Sequence, residues 1–240
     1  MAGTQFERQE LGLIAAVNSG YGENNSPFTL IGSNGIRIIN CISAEKFEGR
    51  SKAGTEPYTD VVINLNGNKS LNISNKGESA PSIAGGGLEG LEMAVPGLTK
   101  KFLESALKKY KQLGYKEGMS NIPDMYGKVS NELKELIVVG NEAMGGPIHY
   151  MYIGPMDVTF RQNGAFLTVN GKLFEAKKYA KDNDLYLRLR KRRADQPFVM
   201  TEKDNKGFPL ILGKSPSRGD KGRRIVTAKK PPQNAIVVKF

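Results

Sequence analysis

A hairpin signature in the first third of the chain constrains the fold more than any other stretch. The apolar run Val61-Val62-Ile63 leads to the turn Asn66-Gly67-Asn68, and the chain returns as Ser70-Leu71-Asn72-Ile73-Ser74-Asn75-Lys76. An Asn-Gly between two alternating runs is a strong local signal for two paired strands. Asp60 stands at the mouth of the first run and Lys76 at the end of the second. The pattern therefore predicts Asp60 and Lys76 on adjacent strands near the same end of a hairpin. A carboxylate and an ammonium held together there can bind a divalent cation and polarise a water.

The rest of the chain narrows the chemistry. A single cysteine, Cys41, excludes an internal disulfide and a cysteine-based zinc site. A single histidine, His149, excludes ligation by several imidazoles and reads as a structural residue in a strand. A metal would have to be held by oxygen, which points to Mg2+ or Mn2+. No apolar run approaches the roughly 18 residues of a membrane span, and the N-terminus shows no basic segment followed by an apolar one. The expected setting is a reducing compartment, the cytoplasm, with no membrane partner.

Charge is unevenly distributed. Gly171 to Phe240 carries 19 Lys and Arg against 7 Asp and Glu, while the first 170 residues carry 16 against 17. The whole excess of +11 thus lies in the C-terminal third. Such asymmetry suggests a polyanionic partner, most often nucleic acid. Its densest parts are Arg188, Arg190, Lys191, Arg192 and Arg193, and the loop and strand start with Arg218, Lys221, Arg223 and Arg224. Guanidinium forks and ammonium charges suit backbone phosphates. Aromatic residues do not interleave with them, which favours duplex DNA over a single strand.

Periodicity gives the elements. Phe6 to Asn18 reads as a helix with Phe6, Glu10, Leu13, Ile14 and Val17 on one face, Glu10 being the one carboxylate in that stripe. Phe28–Ile31 reads as a strand, and 36–42 as strand or helix. Leu88 to Val95 reads as a short helix carrying Glu89 and Glu92. Thr99 to Leu113, capped by Thr99 and closed by Gly114, is a longer helix, and Ser130 to Val139, closed by Gly140, is another. Residues 118–127 read as a loop. Strands follow at Ile148–Ile153, Met156–Phe160 and Ala165–Val169, a short helix at Lys172–Ala180, and a strand at Leu185–Arg190 with its leucines inward. Three further strands, at 208–212, 224–228 and 235–240, complete a β-rich tail. The expected architecture is α/β or α+β: a mixed central sheet flanked by helices in residues 1–146, with a basic β-rich segment, 147–240, packed on it.

The order Pro57, two residues, Asp60, a hairpin, then Ser74-Asn75-Lys76 resembles the PD-(D/E)XK superfamily of restriction-type nucleases. The resemblance covers roughly Phe6 to Val95. It implies a metal-dependent endonuclease in which Asp60 binds Mg2+ or Mn2+, Lys76 is the catalytic lysine, and Glu10, or alternatively Glu7, is the acid from the N-terminal helix. Ser74 stands where the superfamily carries its second acid. The resemblance then implies a borrowed carboxylate, from Glu89 or Glu92 on the short helix or from Glu78. Two other functions fit the same residues: a non-catalytic DNA-binding protein on a nuclease-like fold, and a structural phage or viral head or neck component, homo-oligomeric in a particle, whose tail contacts nucleic acid.

Overall fold

The computed structural model describes residues 5–52, 56–78, 87–115, 123–191, 202–203, 209–210, 223–228 and 230–240. In chain order the elements are α1 (Gln5–Asn24), β1 (Phe28–Ile31), β2 (Arg37–Lys46), β3 (Val61–Leu65), β4 (Lys69–Gly77), α2 (Gly87–Ala94), α3 (Leu98–Gln112), β5 (Met125–Lys128) and α4 (Asn131–Val139). They continue as β6 (Tyr150–Gly154), β7 (Phe160–Asn163), β8 (Phe166–Val169), β9 (Lys172–Glu175), α5 (Ala176–Asp182), β10 (Tyr186–Lys191), β11 (Glu202–Lys203), β12 (Pro209–Leu210), β13 (Arg223–Ala228) and β14 (Ile236–Val238). The fold is mixed α/β, built on an eight-stranded and a four-stranded sheet.

The chain divides into two compact units, each interrupted in sequence. One comprises Met1–Ala80 and Val138–Asp182, the other Pro81–Ile137 and Asn183–Phe240. Residues 147–182, expected in a C-terminal segment, thus add β6 to β9 and α5 to the N-terminal sheet.

The first unit is the eight-stranded sheet, in the order β7-β8-β1-β2-β3-β4-β6-β9. The predicted hairpin is its centre: β3 and β4 pair from Val61↔Ile73 to Leu65↔Lys69, around a turn in which Gly67 and Asn68 both take positive φ. On the far side β4 runs parallel to β6. Parallel neighbours need a long crossover, and here it contains α2, α3, β5 and α4. The residues of 36–42 left open between strand and helix fall almost wholly in β2. The expected strand at Met156–Phe160 is displaced, forming instead as β7, which pairs with β8 across Gly164.

Helix α1 covers the sheet. Leu13, Ala16 and Val17 are fully buried against Leu30, Val61, Ile63, Ile73 and Tyr152. The fourth inward position is Gln9, also fully buried. Its Nε2 donates to three backbone carbonyls, Gly154 at 2.9 Å, Pro155 at 3.1 Å and Lys76 at 3.3 Å. The buried stripe therefore runs through Gln9, Leu13 and Ala16, and Glu10 sits at its border rather than on its axis.

The second unit is the four-stranded sheet β13-β10-β5-β14, with α3 packed on it. Its inner strand β5 falls in residues expected to be a loop. Met125-Tyr126-Gly127-Lys128 is short and contains a glycine, so it carries little strand signal. The glycine is what the packing requires, because a Cβ at Gly127 would lie 2.5–2.7 Å from the rings of Phe102 and Phe240. Those rings pack 5.1 Å apart. Thr99 was expected to cap α3. The cap position is instead Gly97, in the left-handed region at φ 78°. Glu92 supplies the acceptors: its carboxylate takes the Gly97 and Thr99 amides, both at 2.7 Å, and the Thr99 hydroxyl. A carboxylate at a helix N-terminus is favoured by the unpaired amides and the helix dipole. At the other ends Gly114 and Gly140 close α3 and α4 in left-handed conformations, as expected.

Gly127→Ala should overpack the Phe102–Phe240 contact and lower stability by about 1–3 kcal/mol. Urea unfolding of the variant should show an earlier midpoint with an unchanged slope.

Candidate active site

The site forms where the β3–β4 ladder ends. The Asp60 amide donates to the Ile73 carbonyl at 2.9 Å. One residue further, the side chain takes over from the backbone. Asp60 Oδ2 accepts the Asn75 amide at 2.6 Å and the Ser74 hydroxyl at 3.1 Å. Among the described residues Oδ1 accepts nothing. Ser74, in the position of the second acid, is thus a hydroxyl donor to Asp60 and supplies no carboxylate.

Glu10 reaches the same region from α1. Its carboxylate lies 3.6 Å from Lys46 Nζ, with only 14% of its side chain exposed. Burial raises its pKa above the ordinary value, and the charge of Asp60 raises it further, while Lys46 opposes both. Asp60 is likewise raised, first by burial. The Lys76 charge and the hydrogen bonds from Asn75 and Ser74 pull it back, and Glu56 adds to the rise. Asp60 thus acts on Glu10, and Lys76 acts on Asp60; these are the three residues named as catalytic from the sequence.

The auxiliary acids fare differently. Both Glu92 oxygens are engaged at the start of α3, so the carboxylate expected to bind metal is a helix cap. Glu89 lies on α2, and its side chain is outside the described residues. Glu78 is exposed at the end of β4. Among the described residues no group of three or more His, Cys, Asp or Glu side chains is placed to hold a metal ion.

Gln9 was not anticipated as part of the site. It bonds the carbonyl of Lys76 and so fixes the end of β4 against α1, one residue before Glu10. The only signal in the sequence was a polar residue four positions before Leu13. Beneath the site, both amide atoms of Asn75, the Thr59 hydroxyl and Gln9 Oε1 are buried without a partner among the described residues. His149 Nδ1 accepts the Asn72 amide at 2.9 Å, and burial, together with Lys177, lowers its pKa. Cys41 is a core residue whose thiol burial pushes up to about 11.

The basic residues divide. Arg188 is held by Asp124, through Nε at 2.8 Å and Nη2 at 2.6 Å, and its guanidinium lies 5.7 Å from the Tyr126 ring centroid. It is a partner within its own sheet, not a free phosphate grip. Arg190 follows on β10, half-buried. Arg223 and Arg224 begin β13. Arg192, Arg193, Arg218 and Lys221 lie outside the described residues. No helix among the described residues is long and apolar enough to cross a membrane.

Comparison with family models, curated proteins and solved structures finds no match. The site has to be read from its own geometry.

A carboxyl whose pKa is raised by folding binds its proton more tightly in the folded state. Its contribution to stability is complete below the ordinary values, 3.8 for Asp60 and 4.5 for Glu10, and is lost as pH rises through the folded ones. Asp60→Asn keeps an acceptor for Asn75 and removes the buried charge. It should raise Tm at neutral pH, and the gain should vanish as pH falls below about 4. Thermal melts across that range check it.

Proposed function

We propose that this chain is a metal-dependent, endonuclease-like protein of the PD-(D/E)XK type that hydrolyses phosphodiester bonds in DNA. The observation that carries this reading is geometric: Asp60 Oδ2 accepts the backbone amide of Asn75, next to Lys76, and Gln9, next to Glu10, donates to the Lys76 carbonyl. The three residues are separated by 50 and 16 positions in sequence.

The donor set suits a hard cation. Asp60 Oδ1 is open among the described residues, and Glu10 is a second carboxylate whose charge Asp60 disfavours. Two buried like charges are the arrangement a divalent cation relieves. Magnesium commonly uses one or two protein carboxylates, completing its shell with water and substrate phosphate, so a third acid is not required. Bound there, Mg2+ or Mn2+ would neutralise charge on the phosphate and lower the pKa of a water. Asp60 and Glu10 would hold it. Lys76 Nζ would orient the attacking water and balance the charge that develops on the phosphoryl oxygens. Ser74 and the Asn75 amide keep the Asp60 carboxylate aimed.

One observation favours a second reading. Ser74 replaces an acid, and the Glu92 carboxylate that could substitute is engaged elsewhere. A non-catalytic DNA-binding protein on the same fold would show these features.

Nicking of supercoiled plasmid in Mg2+ or Mn2+ separates the two readings. The wild-type chain should nick; Asp60→Asn and Lys76→Ala should each lose on the order of 10²–10³ in rate, and Glu10→Gln should lose less. Divalent cation should also raise the Tm of the wild type and leave that of Asp60→Asn unmoved. Absence of nicking in either metal sinks the enzyme.

A further inference from the structure

The parallel pairing of β14 with β5 ends at Val238↔Gly127. Beyond it the two segments part: Lys128 and Val129 lead into α4, and Lys239 and Phe240 follow β14. Together with the start of α3 they border a cavity of about 850 Å³, and all of its described lining belongs to the second unit. Leu98 and Val129 are its most buried walls, 3% and 1% exposed. Leu133, Val237, Val238 and Phe240 continue the apolar surface, and Val237 remains 47% exposed on it.

This apolar surface carries cations. Lys101 from α3, Lys128 from the end of β5 and Lys239 after β14 line the same cavity, and all three are exposed. Lys128 is neutralised by Asp184, 2.9 Å away. Lys101 and Lys239 have no carboxylate partner among the described residues, and no Asp or Glu is among the described lining residues. The volume falls within the roughly 300–1,000 Å³ of small-molecule sites, which are mostly apolar with a few polar groups that fix orientation. Apart from Phe240 the apolar lining is aliphatic, and the Phe240 ring already packs on Phe102 at 5.1 Å. Such walls suit an aliphatic chain better than a stacked ring.

We propose that this cavity binds one aliphatic carboxylate of medium chain length, its chain against Leu98, Val129 and Val238 and its head group at Lys101 and Lys239. Charge decides the head. A neutral or cationic amphiphile would cover the apolar walls and leave both ammonium groups unneutralised. The apolar recess decides the body, because a phosphate backbone has nothing to bury in it. The inference goes beyond the nuclease reading, whose residues lie in the other unit.

The test is isothermal titration calorimetry of the full chain with octanoate, decanoate and dodecanoate, each as monomers in solution. Decanoate should saturate one site per chain. Burying each added methylene should tighten binding about fourfold, or about 15-fold for every two carbons. 1-Decanol should bind less tightly than decanoate, and decyltrimethylammonium should not bind. Lys101→Gln with Lys239→Gln should weaken decanoate about 3- to 10-fold and leave 1-decanol unchanged. Val237→Asp puts a carboxylate on the lining at a half-exposed position, so it should abolish decanoate binding at an unchanged Tm. Lys111→Gln, at the other end of α3, should change nothing. No saturable binding of decanoate overturns the proposal, as do equal affinity for 1-decanol and a Val237→Asp variant that binds like the wild type. Binding to phosphatidylserine vesicles without binding of monomeric decanoate gives the cavity to a membrane and overturns it. A dimer that Val237→Asp dissolves, with no decanoate bound, gives the cavity to a second copy and overturns it too.

Discussion

The hydrogen bond from the Asn75 amide to Asp60 Oδ2 is the constraint around which the first unit is arranged. β4 continues past the point where its backbone ladder with β3 stops. A buried amide without an acceptor costs about 1–3 kcal/mol, and here a carboxylate side chain meets the need. That contact fixes the direction of Asp60, and it does so from the strand that carries Lys76. A structural requirement of the sheet thus holds the acid in place beside the lysine.

Burial works against the same carboxylate. Asp60 is withdrawn from water, and so in part is Glu10, and each is pushed toward its neutral form. Lys76 and Lys46 oppose that from either side. A fold selected for stability alone would replace at least one of these acids by a neutral isostere. Holding two repelling carboxyls near an ammonium is the kind of local conflict that marks a functional site. The polar atoms of Asn75, Thr59 and Gln9 that find no partner among the described residues extend the same polar region.

The second unit resolves its charges differently. Arg188 donates through Nε and Nη2 to a single oxygen of Asp124, next to Tyr126, and Lys128 pairs with Asp184. These four side chains belong to the sheet.

The hairpin, the covering helix and the strand at 185–190 were legible because each is local. The period-two runs around Asn66-Gly67, the leucines at 185, 187 and 189, and the glycines that close α3 and α4 encode their structure within a few residues. Glu10, Asp60 and Lys76 stood out as candidates for a related reason, since two of them bracket that hairpin and the third stands on the first helix, at the border of its buried stripe. What sequence could not supply was non-local. β5 is a strand because Gly127 leaves room for Phe102 and Phe240, 25 residues before it and 113 after. Glu92 is a cap and not a ligand because its chain turns back onto the start of α3. The strands of residues 147–182 join the first sheet because β6 finds β4 in parallel, a pairing between stretches more than 70 residues apart that no local pattern announces. Sequence determined which residues carry charge and which segments can form strands. Tertiary structure alone decided which charges are neutralised by neighbours, because that depends on contacts between chain segments that only folding brings together.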